Sequence, residues 1–220
     1  MVKKSLLKIL TLALVGMLIL TSCGEDEIPD REYDEAEVLE AARELIDDSI
    51  ILNEIYWGAG IPYIDDANLK DGVYYPADDT YLSKIGVKTL EDLKNLTRGT
   101  FSDDQCEWIF STLMSSVSDG NGIVSLARYG QKWGGENLDV PEYIFVNSDA
   151  TVWLDDTVDY NYDMMAVSDV EGEVITVRLL VTVTNPEGKI MNENIDVKLI
   201  EESDGWRLHS PTYVSYYDPF

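Results

Sequence analysis

Between Glu173 and Thr184 the side chains alternate: Ile175, Val177, Leu179, Val181 and Val183 share one parity, while Thr176, Arg178, Thr182 and Thr184 mostly hold the other. Successive side chains of a strand point to opposite faces, so this segment predicts a strand with one face in a core and the other in water. Asn185-Pro186-Glu187-Gly188 reads as a hairpin turn, and Lys189 to Glu201 returns with Ile195, Val197 and Leu199 against Asn194, Asp196 and Lys198. Ser203-Asp204-Gly205 turns again, its Asp-Gly pair suited to a tight hairpin, and Trp206 to Pro211 forms the next strand. Tyr143 to Leu154, aromatic and β-branched, reads as a strand ahead of them. The result is an antiparallel meander of three or four strands with one apolar face to cover.

The cover comes from upstream. Asp34-Glu35-Ala36-Glu37 has the spacing of a capped helix start, and Val38, Ala41, Ala42, Leu45, Ser49, Leu52 and Tyr56 recur at three- and four-residue steps. This predicts a helix from Asp34 to about Trp57, stopped by Gly58-Ala59-Gly60-Ile61-Pro62. A phosphate loop precedes its helix, whereas these glycines follow one, so they read as a C-cap and turn. Gly72-Val73-Tyr74-Tyr75-Pro76 suits a short strand with Pro76 at an edge or exit. Thr89-Leu90-Glu91-Asp92 and Ser102-Asp103-Asp104-Gln105 open two short helices, with Gly99 as the break between them. The first carries Leu90, Leu93 and Leu96; the second carries Cys106, Ile109, Phe110, Leu113 and Val117. Ser118-Asp119-Gly120-Asn121-Gly122 is a dense turn. The expected fold class is α+β: an N-terminal helix and a short helix pair packed on a C-terminal antiparallel meander.

The first 33 residues have a separate logic. Met1 to Lys8 is basic and Ile9 to Leu20 is apolar, a run too short to span a bilayer comfortably but long enough for a signal-peptide core. Leu20-Thr21-Ser22-Cys23 resembles the lipobox of bacterial lipoproteins. The resemblance implies that residues 1–22 are a signal peptide and that Cys23 is acylated as the mature N-terminus. The lipid bilayer is then a partner through Cys23, and the protein sits in the cell envelope on the extracytoplasmic side. Several acyl chains hold firmly, since each buried CH2 contributes about 0.8 kcal/mol. Residues 23–33 make an acidic tether without apolar period, and residues 34–220 a single α+β domain.

Charge and cysteine content exclude several functions. The chain carries 16 Lys and Arg against 42 Asp and Glu. Without Lys3, Lys4 and Lys8 of the leader, 13 basic face 42 acidic side chains, a net charge of −29. Such a surface repels phosphate backbones, so nucleic acid is not a partner. One His and two Cys exclude the usual zinc sites. No cofactor motif is found. Asp159, Asn161 and Asp163 match the first three ligand positions of a calcium loop, but Met164 stands where its Gly belongs and Val170 where its Glu belongs, so no metal is assigned and the run reads as a solvated acidic loop. Cys106 reads as a small buried hydrophobe, with a Cys106–His209 nucleophile pair as the alternative. A Ser-His-Asp triad would need His209, whose neighbours Trp206 and Leu208 suggest that it points to solvent. No catalytic residues are assigned.

Gly72-Val73-Tyr74-Tyr75, Thr89-Leu90-Glu91-Asp92-Leu93-Lys94, Phe101-Ser102-Asp103-Asp104 and Asp204-Gly205-Trp206-Arg207-Leu208, in that order, resemble two related patterns. The broad one is the cystatin-like, nuclear-transport-factor-2-like roll of many bacterial lipoproteins. The narrower one is the DL-endopeptidase inhibitor family, extracytoplasmic proteins that restrain cell-wall peptide hydrolases. The resemblance implies a non-catalytic binding module and a basic secreted cell-wall hydrolase as partner. The candidate binding residues are Asp119 and Asn121 of the turn, Trp133 in the following loop, and Tyr74 and Tyr75: aromatic anchors among steering acids. Two alternatives stay open. One is a small-ligand or enzymatic roll with a pocket between helix and sheet, favoured by convergent carboxylates or tyrosines there. The other is a surface-display lipoprotein without a cell-wall partner. Trp206 reads either as part of a binding hairpin or as an aromatic closing the sheet core.

Overall fold

A computed structural model describes residues 33–69, 71–114, 117–118, 123–125, 127–132 and 143–213, a mixed α+β arrangement of helices and antiparallel sheets. Helix α1 (Glu35–Tyr56) starts where Asp34 turns its carboxylate onto the Ala36 and Glu37 amides, at 2.9 and 3.4 Å. An acidic N-cap satisfies orphan donors and opposes the positive end of the helix dipole. The helix ends at Trp57, and the chain turns through Gly60 at φ +85°. A Cβ at Gly60 would lie 2.7 Å from the Arg128 guanidinium, so both conformation and space require glycine there.

Next come β1 (Tyr74–Pro76), α2 (Asp79–Lys84), α3 (Leu90–Thr100), α4 (Asp103–Leu113), β2 (Val117–Ser118), β3 (Ile123–Ser125), β4 (Tyr129–Lys132) and β5 (Tyr143–Asn147). The long strands follow: β6 (Thr157–Glu171), β7 (Val174–Thr184), β8 (Ile190–Glu202) and β9 (Gly205–Leu208). Strands β6-β7-β8-β9 form the antiparallel meander, β1-β5-β4 a second sheet and β2-β3 a short pair. In the meander Ile175 faces Leu199, Val177 faces Val197 and Leu179 faces Ile195. Ile175, Val177, Leu179, Val181 and Val183 are all fully buried, as their parity requires. They share one core with Val38, Ala42, Ile46, Leu52 and Ile55 of α1, each buried aliphatic side chain contributing roughly 1.5–3 kcal/mol. The α3–α4 junction is tied to the sheet edge: the Ser102 amide donates to the Leu208 carbonyl at 2.9 Å.

Five local expectations change. Tyr143–Leu154 is not the first meander strand: only Tyr143–Asn147 is extended, and it joins β1 and β4. The first meander strand is β6, formed largely by residues expected to be an acidic loop. Its Val158, Tyr160 and Tyr162 turn inward between the exposed Asp159, Asn161 and Asp163, so the acids are the solvent face of a strand. Gly99 does not break a helix, because α3 runs on to Thr100. Ser102 precedes α4 without capping it; its hydroxyl is used elsewhere, as described below. Val117 falls in β2 rather than in α4. Thr89, by contrast, makes a reciprocal capping box with Asp92.

Between Asn161↔Leu180 and Ala166↔Arg178, β6 advances five positions while β7 advances two. The additional residues make a bulge, which bends the strand. There Tyr162 reaches α1 and donates to the Asp47 carboxylate at 2.5 Å.

Candidate functional site

A cleft of about 540 Å³ opens between α1 and the start of β6. Helix α1 supplies Asp47, Ile50, Ile51 and Glu54, spaced three, four and seven residues apart and therefore on one stripe. Leu154, Asp156, Val158 and Tyr160 form the opposite wall, and Tyr213 borders it. The Tyr213 ring lies 4.7 Å from that of Trp57, which is buried and stacks on Trp108 from 6.0 Å. The cleft is thus apolar in the middle and acidic at its ends, with no Lys or Arg among its described lining residues.

Its floor is a polar network whose protons can be assigned. The Ser49 hydroxyl donates to the Ile46 carbonyl at 2.7 Å, spending its one proton. The 2.6 Å contact between Ser49 and Thr212 must then carry the Thr212 proton. Thr212 Oγ1 is left as acceptor for Asn53 Nδ2 at 2.9 Å. That fixes the Asn53 amide, and its buried Oδ1 has no donor in the structure. Asn53 is only 7% exposed and borders the cleft. The Tyr160 hydroxyl donates to the Thr212 carbonyl at 3.0 Å. Burial pushes the Tyr160 phenol up to about 12. Burial, then the hydrogen bond to the Asp47 carboxylate and its charge, raises Tyr162 further, with Arg43 opposing from 4.9 Å above the ring.

The residues singled out from sequence do not converge. Cys23, Asp119, Asn121 and Trp133 lie outside the described residues. Tyr74 has a structural task, donating to the Ala127 carbonyl at 2.7 Å. Tyr75 is half-buried and stacks on Tyr63, with ring centroids 5.1 Å apart and planes at 26°. Tyr63, Ile64 and Leu69 are exposed beside Asp65. Their loop is tied down: the Ile64 amide donates to the Pro76 carbonyl at 2.9 Å, and the Asp78 amide to the Pro62 carbonyl at 2.8 Å. An aromatic, acid-flanked face is therefore held by the backbone rather than left to fold on contact.

The reactive side chains are engaged in packing. Cys106 Sγ donates to the Phe101 carbonyl at 3.4 Å, and burial raises its thiol to about 11, leaving little thiolate near neutrality. His209 does not simply face solvent: its Nδ1 lies 2.9 Å from Ser102 Oγ, and Ser102 is buried. Asp159, Asn161 and Asp163 sit on β6, not in a calcium loop. No group of three or more acidic, His or Cys side chains among the described residues is placed to hold a metal ion.

The cleft residues were not singled out from sequence. Asp47 and Glu54 look like ordinary polar positions of an amphipathic helix, and their partners lie about a hundred residues away. One local clue exists: Ile50, 46% exposed, sits on the helix face that should be polar. No family model, curated protein or solved structure matches the chain.

Proposed function

We propose that the chain is a lipid-anchored, extracytoplasmic and non-catalytic binding module, a cystatin-like roll that restrains a basic cell-wall DL-endopeptidase by covering its cleft. The observation that carries this reading is the Tyr63–Tyr75 face. Stacked tyrosines and exposed Ile64 and Leu69 offer an apolar anchor, and the neighbouring acids suit a cationic surface. The lipobox at Leu20–Cys23 supports anchoring outside the cytoplasm. The burial of Ser102 and Cys106 supports binding over catalysis.

The test is inhibition. The full chain is titrated against a purified cationic DL-endopeptidase cleaving a peptide substrate. Saturable inhibition is expected, weakened roughly tenfold or more by Tyr63→Ala with Tyr75→Ala. Absence of inhibition, or an unchanged inhibition constant in the double variant, refutes the reading. A second reading, capture of a small ligand between helix and sheet, is favoured by the cleft itself, whose volume and apolar walls are those of a ligand site.

A further inference from the structure

The cleft has a charge pattern with a definite complement. Asp47 and Glu54 are seven residues apart on α1, a rise of about 10 Å, and Ile50 and Ile51 lie between them. Leu154 and Val158 face these isoleucines. Asp47 already accepts from Tyr162, and Glu54 accepts from the Ala59 amide at 3.0 Å. A carboxylate has about four acceptor positions, so both keep capacity for another donor. Asn53, which borders the cleft, adds a buried acceptor without a donor. Four acceptor-rich groups around an apolar strip, counting Asp156, ask for a ligand with N–H donors at separated points and hydrocarbon between. Arg43 precedes Asp47 by one helical turn and is stacked on Tyr162, and Arg128 is bound to the Gly58 carbonyl; neither lines the cleft.

We infer that this cleft binds a linear aliphatic diamine of the polyamine kind, its ammonium groups held by Asp47 and Glu54 and its methylene chain lying on Ile50, Ile51, Leu154 and Val158. The inference rests on the small-ligand reading and uses residues distinct from the Tyr63–Tyr75 face. The fixed spacing of the two carboxylates on one helix selects chain length.

Calorimetric titration of the full chain in detergent with octane-1,8-diamine tests it, alongside octan-1-amine, butane-1,4-diamine and octane-1,8-diol. The long diamine is expected to bind with one-to-one stoichiometry, roughly tenfold tighter than each of the others. Glu54→Gln should weaken it about fivefold or more. Ile50→Lys, at an exposed position that leaves folding intact, should abolish it by placing a competing ammonium in the cleft. Equal binding of the short diamine would reduce the effect to diffuse charge attraction and overturn the inference. Equal binding of the diol would overturn the charge assignment while keeping the cleft as a ligand site. If none of the probes binds, both the diamine and the small-ligand readings fail.

Discussion

Thr176 and Val177 are neighbours in sequence and lie on opposite faces of β7, the first partly exposed and the second without accessible surface. A carboxylate at Val177 would be buried against Val197 and the helix side of the core with no partner. Val177→Asp should therefore cost about 3–5 kcal/mol and Thr176→Asp less than about 1 kcal/mol. Urea unfolding of both variants checks this, and similar midpoints would contradict the facial assignment. The parity was fully legible because strand geometry leaves no freedom in it. The Asn53–Thr212–Ser49 network was not, because it joins α1 to a segment some 160 residues away and rests on proton positions that no pattern encodes. Tyrosines add a pH dependence. Burial raises Tyr56, Tyr129, Tyr160 and Tyr162. Above pH ~10 the unfolded chain releases phenolic protons that the folded chain retains, so stability falls as pH rises. This contribution is complete below pH ~10 and is lost progressively toward pH 12 and beyond. Urea midpoints between pH 8 and 11.5 should drop, with the buried tyrosines adding their tyrosinate absorbance at 295 nm only on unfolding. A midpoint independent of pH across that range would contradict the buried network.

The helix starts at Thr89 and Ser102 look alike in sequence and behave differently. Thr89 and Asp92 cap each other, so Thr89→Ala should cost about 1 kcal/mol. Hydrogen bonds first from the Thr89 amide and then from the Lys88 amide hold the Asp92 carboxyl below its usual range. Asp78 is lowered likewise, first by the Thr80 amide at the start of α2. Their contribution is present above pH ~4 and is lost as pH falls below it. Acid titration of helicity should show this, and Asp92→Asn should flatten the response. Ser102 shares its hydroxyl with His209 across 107 residues instead of closing its own helix. Ser102→Ala and His209→Ala should therefore be non-additive in a double-mutant cycle, with a coupling near 1 kcal/mol. Additive losses would mean that the contact contributes nothing. Local spacing cannot distinguish the two serine and threonine starts, because a distant imidazole decides one of them. The same limit hid β6. Its acids suggested a loop, and only their alternation with Val158, Tyr160 and Tyr162 identifies a strand.

At the scale of the molecule the governing quantity is charge. The chain carries 16 basic against 42 acidic side chains, a net charge of −26 that attracts cations, and the proposed function uses that field to speed encounter while the tyrosine face provides residence time. The lipid anchor would keep this field close to the membrane, and Cys23→Ala should leave the precursor uncut or release the chain from the membrane fraction. Normal processing and retention in that variant would contradict the lipoprotein reading. The central claim, an acid-steered docking module, is tested most directly by the association rate with a cationic DL-endopeptidase measured from about 0.05 to 0.5 M salt, where the Debye length contracts to about 4–5 Å. The account predicts an association rate that falls roughly tenfold or more over this range, and a faster dissociation with little change in association when Tyr63 and Tyr75 are replaced by Ala. An association rate indifferent to salt, or a dissociation rate unmoved by those replacements, would contradict it.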